Sequence, residues 1–294
     1  MSKTSTASSS RRRPSDPTGP SIPERPDEVR LTLERLGVVP SKRWGQSFLT
    51  NPFIADAEAA LVGLAPGHPV VEIGGGLGIL TAALLRRGLG PITVIERDPR
   101  LAAFLRDALG DRVGVVEGDA RTMPLPVADC VVGNLPYSVA TPILLRLFAA
   151  RVPRVVFLVQ REVAERLASA PGSKEYGRLS LIAQMYGTVE LFRTVPAGAF
   201  NPPPQVESRL AVHVARPDPL PVPSVPEFER VVRVLFSSRR KQLGNLLPRL
   251  AASSDAARRL AEAAGWPSNW PTLRPEDLPP SAFFGLARAV ADPL

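Results

Sequence analysis

Val71-Glu-Ile-Gly-Gly-Gly-Leu-Gly78 is the stretch on which the fold turns. A short β-rich run, Val70-Val-Glu-Ile73, leads into it, and a helical pattern over 77–87 follows. Glycines at such a junction permit positive φ and let backbone approach a ligand closely. Open α/β sheets bind ligands at this place, the carboxyl end of a central strand. Many nucleotide-binding folds share the turn, so alone it is a weak signal. The Gly-Lys-Ser/Thr of a phosphate-cradling loop is missing, which disfavours ATP hydrolysis.

The same alternation extends on both sides. Ile92-Thr-Val-Ile95 reads as a second strand, with a helix over 99–109. Val113-Gly-Val-Val116, Cys130-Val-Val132 and Val155-Val-Phe-Leu-Val159 read as further strands, with helices over 141–150 and 162–170. Strands alternating with helices predict a parallel sheet covered on both faces. Apolar stretches over 189–195 and 210–214 add an edge hairpin. Pro217-Asp-Pro-Leu-Pro-Val-Pro-Ser-Val-Pro226 holds five prolines and reads as a linker. Helical runs over 227–250, 255–265 and 281–291 then make a small all-helical domain. The expected division is a disordered tail over 1–26, a catalytic α/β domain over 27–216, the linker, and a helical RNA-binding domain over 227–294. A short helix is expected within 27–43.

The totals narrow the function. The chain has 294 residues and a formal net charge of +8, which suits a polyanionic partner. Between 230 and 259 lie eight basic side chains against one acid, Asp255, so that stretch alone is strongly basic. The tail, with its Arg11-Arg12-Arg13 run, reads as solvated chain. Cys130 is the only cysteine, which excludes an internal disulfide and suits a reducing compartment; it reads as a core residue. With two histidines and no cysteine cluster, no metal site is expected. No apolar run is long enough to span a bilayer, and no apolar signal core is present, so a cytoplasmic protein is expected.

Three acceptors follow the strands in order. Gly74 and Gly76 belong to the turn after the first strand. Glu96 ends the second, where an acid can accept both ribose hydroxyls of an adenosine cofactor. Asp119 follows the third and can accept from an exocyclic amine of the cofactor adenine. NAD remains open to this point. Asn134-Leu-Pro-Tyr137 ends the fourth strand. The nitrogen of an adenine amine is a poor nucleophile, because its lone pair is delocalised into the ring. Acceptors for its two hydrogens favour the pyramidal nitrogen that attacks a methyl group. The Asn134 side chain and a backbone carbonyl at Leu135 or Pro136 offer them. Pro136 stiffens the turn, and the Tyr137 ring offers a face to the base, a contact worth ~1–3 kcal/mol. Placement and fixed dipoles then supply the rate.

These motifs carry a resemblance. Gly45-Gln-Ser-Phe-Leu49, the 72–78 turn, Val94-Ile-Glu96, Gly118-Asp-Ala120 and Gly133-Asn-Leu-Pro-Tyr137 resemble those of the ribosomal RNA adenine dimethylases. So do Gln160-Arg-Glu-Val163, Ser173-Lys-Glu-Tyr-Gly-Arg-Leu-Ser180, Ala199-Phe-Asn-Pro-Pro-Pro-Gln-Val-Glu-Ser208 and Phe236-Ser-Ser-Arg-Arg-Lys241. The likeness runs from about residue 41 to 250 and is strongest to the small-subunit, kasugamycin-resistance type. It implies a Rossmann-like methyltransferase sheet using S-adenosyl-L-methionine. Ser47 and Leu49 would lie at the methionine end of the cofactor, with Gly74, Glu96, Asp119 and Asn134 completing its site. Phe200 would face Tyr137 across the target base. Serine stands at 47 where the family has Asn or His, a shorter reach. Lys174, Tyr176, Arg178 and the Arg239-Arg240-Lys241 run would contact RNA backbone. The implied substrate is small-subunit rRNA in an immature ribosomal particle, bound by a monomer, with two methyl groups placed on each of two adjacent adenosines near the 3′ end. The alternatives are a large-subunit rRNA adenine methyltransferase, an RNA-binding assembly factor without catalysis, and a DNA adenine methyltransferase. The intact 74–78 and 134–137 motifs weigh against lost catalysis.

Overall fold

The computed structural model describes residues 20–40, 46–218, 220–251 and 253–291. The Arg11–Arg13 run, most of the expected tail, and Gly45 lie outside these residues. The chain opens with α1 (Pro26–Arg35), β1 (Phe48–Leu49) and α2 (Pro52–Ala60). The Asn51 side chain caps α2 by accepting the Phe53 N–H at 3.0 Å, and Pro52 occupies its first position. Then come β2 (Val70–Ile73), α3 (Ile79–Arg86), β3 (Ile92–Glu96), α4 (Pro99–Leu109), β4 (Gly114–Glu117), β5 (Cys130–Asn134) and α5 (Tyr137–Ala149). They are followed by β6 (Arg154–Gln160), α6 (Arg161–Ala168), α7 (Arg178–Tyr186), β7 (Gly187–Val195), β8 (Phe200–Asn201) and β9 (Ser208–Ala215). The chain finishes with α8 (Val225–Phe236), α9 (Leu243–Leu246), α10 (Ser254–Ala263) and α11 (Pro280–Ala291).

Seven strands form one sheet in the order β4-β3-β2-β5-β6-β9-β7. The first five are parallel, and β9 and β7 close the edge antiparallel as the expected hairpin. Because β2 has β3 on one side and β5 on the other, the chain reverses its winding there. That opens a crevice at the carboxyl ends of β2, β3 and β5. Alternate strand residues feed two apolar cores. Val70, Val94, Cys130, Val132 and Val156 face α1 to α4, whereas Val71, Ile73, Val131, Val155 and Phe157 face α5, α6 and α7. Cys130 is fully buried, and burial pushes its thiol up to about 12, so it packs as an inert small residue.

Three boundaries differ from expectation. Residues 20–26, read as tail, lie against the sheet domain: Pro23 is buried, and a Cβ on Gly78 would come within 2.7 Å of Ile22 Cδ1. The helix expected from 141 begins at Tyr137 and carries Pro142 inside it. Burial of Ala140, Ile143, Leu144, Leu147 and Phe148 outweighs the one lost N–H bond. The third boundary is the proline-rich 217–226 segment, which does not separate two cores. Val222 is buried within the same cluster that runs from Tyr176 and Leu181 into Phe228, Leu243 and Phe283. Phe236 stacks on Phe283 at 5.7 Å and meets Tyr176 edge-on at 6.3 Å. The C-terminal helices are therefore docked on α7. No helix among the described residues is long and apolar enough to cross a membrane.

Candidate active site

The turn after β2 has the backbone its glycines allow. Gly74 and Gly76 take φ of +80° and +56°, in the left-handed region. A Cβ on Gly76 would also come within 3.3 Å of the Phe48 ring. The Gly76 N–H donates to Glu96 Oε2 at 2.9 Å, so the carboxylate at the end of β3 holds the glycine turn in place. Glu96 Oε1 accepts the N–H groups of Arg97 at 2.7 Å and Asp98 at 2.9 Å. Burial raises its pKa, and those three N–H bonds oppose the rise. Three of its acceptor positions are thus filled. One remains for a ligand hydroxyl, and a second ribose hydroxyl would have to compete with the Gly76 N–H.

Asp119 follows β4 and is gripped by Arg121, whose Nη2 lies 2.6 Å from Oδ2 and whose backbone N–H lies 3.0 Å from Oδ1. The Arg121 hydrogen bonds hold its pKa down to about 2, with help from Arg97 at 3.7 Å. Arg121 is a member of the site that sequence reasoning missed. At the end of β5, no hydrogen bond ties up the Asn134 side chain among the described residues. Of the two candidate carbonyls, Pro136 O accepts the Val139 N–H at 3.0 Å as α5 begins. Leu135 donates its own N–H to Leu158 O at 3.2 Å, and its carbonyl receives no backbone bond among the described residues. Leu135 O is therefore the more open acceptor. Gly133 admits this geometry, because a Cβ there would sit 2.6 Å from Ile73 O and push β5 away from β2.

Ser47, Leu49, Gly74, Gly76, Glu96, Asp119, Asn134, Leu135, Pro136, Tyr137 and Phe200 all line one open cleft of about 1230 Å³, counting its mouth. The mouth is framed by a ladder invisible in the sequence. β1 pairs antiparallel with β8, placing Leu49 opposite Phe200 and Phe48 opposite Asn201. Thr50 reinforces it by donating both its N–H and its hydroxyl to Ala199 O, at 2.8 and 3.1 Å. Leu49, expected at one end of a ligand, and Phe200, expected beside another, thus belong to one two-stranded unit, with Ser47 directly before it.

The RNA-contact set needs correction. Tyr176 is fully buried, with its hydroxyl unpartnered among the described residues and its pKa raised by burial, so it packs on Phe236 and cannot reach a backbone outside. Arg239 is a clamp: Nε donates to Glu276 at 2.6 Å and Nη2 to Ser173 O at 3.0 Å. That clamp joins two segments distant in sequence. It carries exposed Lys174 toward exposed Arg240 and Lys241, with Arg178 exposed at the start of α7.

A column of buried acids lies behind the glycine turn. Glu72 on β2 lines the cleft and accepts the Thr81 hydroxyl at 2.6 Å. Burial raises its pKa to about 8. Glu58 on α2 is fully buried, with neither oxygen partnered among the described residues; burial first, and the nearby Glu72 second, hold it protonated well above the usual range. Nothing in the sequence singles out Glu58. Both groups keep protons in the fold that an unfolded chain releases near 4.5. Stability should therefore fall as pH rises from about 5 through 8. Glu58→Leu removes one such group, and melting at pH 6 and pH 8.5 should show stabilisation of ~1–3 kcal/mol, larger at the higher pH. A destabilised variant at both pH values would contradict the assignment of Glu58 as an unpaired acid.

Comparison with known proteins agrees with this geometry. The family model described as ribosomal RNA adenine dimethylase matches residues 40–261. The ribosomal RNA small subunit methyltransferase A of Anaeromyxobacter dehalogenans is 39% identical over 278 residues, covering 89% of this chain and 97% of that protein. The protein of the same name from Vibrio cholerae is 38% identical, covering 86% and 94%. Among solved structures, a dimethyladenosine transferase from Plasmodium falciparum superposes with a TM-score of 0.69 at 25% identity, covering 81% of this chain and 95% of that one. The 23S rRNA methyltransferase ErmE superposes with a TM-score of 0.64 at 25% identity, covering 83% and 100%.

Proposed function

The chain belongs to the ribosomal RNA adenine dimethylase family, and from that premise we propose that it transfers methyl groups from S-adenosyl-L-methionine to N6 of adenosines in small-subunit 16S rRNA. Two adjacent adenosines near the 3′ end, in an immature ribosomal particle, are the proposed targets. The protein acts as a cytoplasmic monomer in this reading.

One observation carries the proposal: Asn134 and the Leu135 carbonyl stand open at a strand end, in the same cleft as Glu96, Asp119 and the glycine turn. The cleft fits the cofactor. Glu96 keeps an acceptor for a sugar hydroxyl, and Asp119, already paired with Arg121, would share a carboxylate oxygen with an amine. Ser47 and Leu49 would hold the methionine end. When bound, S-adenosyl-L-methionine supplies a methyl group on a positively charged sulfur. The chain's own residues do the rest. Asn134 Oδ1 and Leu135 O accept the two amine hydrogens and hold the nitrogen lone pair toward the donor. Tyr137 and Phe200 sandwich the base, and an RNA adenine must leave its stack to reach them. No strong base is needed, because the amine becomes acidic once methylated.

Lys174, Arg178, Arg240 and Lys241 form the proposed RNA-backbone surface, with Arg239 as its internal brace. Small-subunit RNA is favoured over large-subunit RNA because relatives named for the small subunit are about 39% identical over most of the chain, against 25% for ErmE. The test is incubation with labelled methyl donor and either immature small subunits or large-subunit RNA, followed by nucleoside mass spectrometry. Label in N6,N6-dimethyladenosine from small subunits is the expected result. Label only in large-subunit RNA would overturn the substrate.

A further inference from the structure

Segment 200–208 does more than supply Phe200. At its far end, the Ser208 hydroxyl is hydrogen-bonded to the Tyr137 phenol across 71 residues of sequence. Ser208 opens β9 and sits in register with Gln160 at the end of β6 and with Val195 at the end of β7. It is fully buried and paired on both sides in the sheet, so its hydroxyl cannot turn away to water. Tyr137 is less enclosed: it is the first residue of α5, partly buried at the cleft, and without this bond its ring could turn about its side-chain torsions. A buried strand hydroxyl thus anchors the tip of a cleft aromatic. Burial raises the phenol's pKa, so the group stays a neutral hydroxyl at physiological pH. Both aromatic walls of the base site then depend on one segment, which carries Phe200 at one end and tethers Tyr137 at the other.

We propose that Ser208 is a positioning residue for methyl transfer, fixing the plane of the Tyr137 ring on which the target adenine stacks. The inference rests on the function proposed above. The test uses Ser208→Ala, Tyr137→Phe and the double variant in single-turnover methyl transfer to immature small subunits, with the KM for the methyl donor measured alongside. Each single change removes the same neutral hydrogen bond and should slow transfer ~3- to 10-fold with the donor KM unchanged. The double variant should be no slower than Tyr137→Phe, since the bond can be lost only once. Ser208→Thr, which keeps the hydroxyl, should recover part of the rate. A Ser208→Ala rate equal to that of the unsubstituted protein, or losses that multiply in the double variant, would overturn the tether. Transfer by the unsubstituted protein separates the two claims. With it intact, those outcomes remove the tether alone; without it, the function and the tether fall together.

Discussion

Asn134→Ala is expected to lower methyl transfer by at least ~10²-fold while the melting temperature and RNA affinity stay near those of the unsubstituted protein. The residue closes β5, yet its side chain lies in the cleft rather than in either core. The backbone bonds that hold the turn, Leu135 N–H to Leu158 O and Val139 N–H to Pro136 O, do not involve its amide. Removing that amide therefore takes away an acceptor for the amine and leaves the scaffold standing. A preorganised polar group facing developing charge is worth ~2.7–4 kcal/mol when deleted, which sets the size of the loss. Nucleoside analysis after timed incubation measures it. A variant within about threefold of the unsubstituted rate would remove Asn134 from the chemistry.

Neutralising Lys174, Arg240 and Lys241 together should weaken RNA binding and flatten its salt dependence. Each phosphate contact contributes about 0.9 to the slope of log affinity against log salt for duplex nucleic acid, and about 0.7 for single strands. Losing three contacts should lower the slope by ~2–3 and cost ~10²-fold in affinity near 0.1 M salt. Arg239→Ala should behave differently. It breaks the bonds to Glu276 and to Ser173 O, so its first effect is a lower melting temperature. Binding isotherms across salt, set beside melting curves, distinguish the two classes. An unchanged slope in the triple variant would place the RNA on another face.

The parallel sheet was legible because each of its strands is a compact apolar run bounded by Gly, Pro or Asp, with a helical period between. The cofactor side of the cleft was legible for a related reason: the glycine turn, Glu96, Asp119 and Asn134 each follow a strand, and topology brings strand ends together. Contacts between segments far apart leave no such pattern. The β1–β8 ladder pairs two residues with two others about 150 positions away, with no periodicity to announce it. Tyr176 stands among Lys174, Glu175 and Arg178, which reads as a wet loop, yet Phe236 covers it. Arg239 sits in a basic run that reads as a solvated face, and only the fold supplies Glu276. The 217–226 prolines read as a spacer because they exclude regular structure; they do not exclude packing, and Val222 is buried. Glu58 gave no signal of its own, because acids are almost never fully buried unless paired and nothing nearby in sequence marks this one as an exception.

The most direct test of the central claim is the structure of the protein with an adenosine-containing RNA and a non-reactive analogue of the methyl donor. The expected result places the adenine N6 within ~3.2 Å of both Asn134 Oδ1 and Leu135 O, with the base between Tyr137 and Phe200. An adenine bound with its amine away from residues 134–137, or an Asn134 side chain turned out of the glycine-lined cleft in that complex, would contradict it.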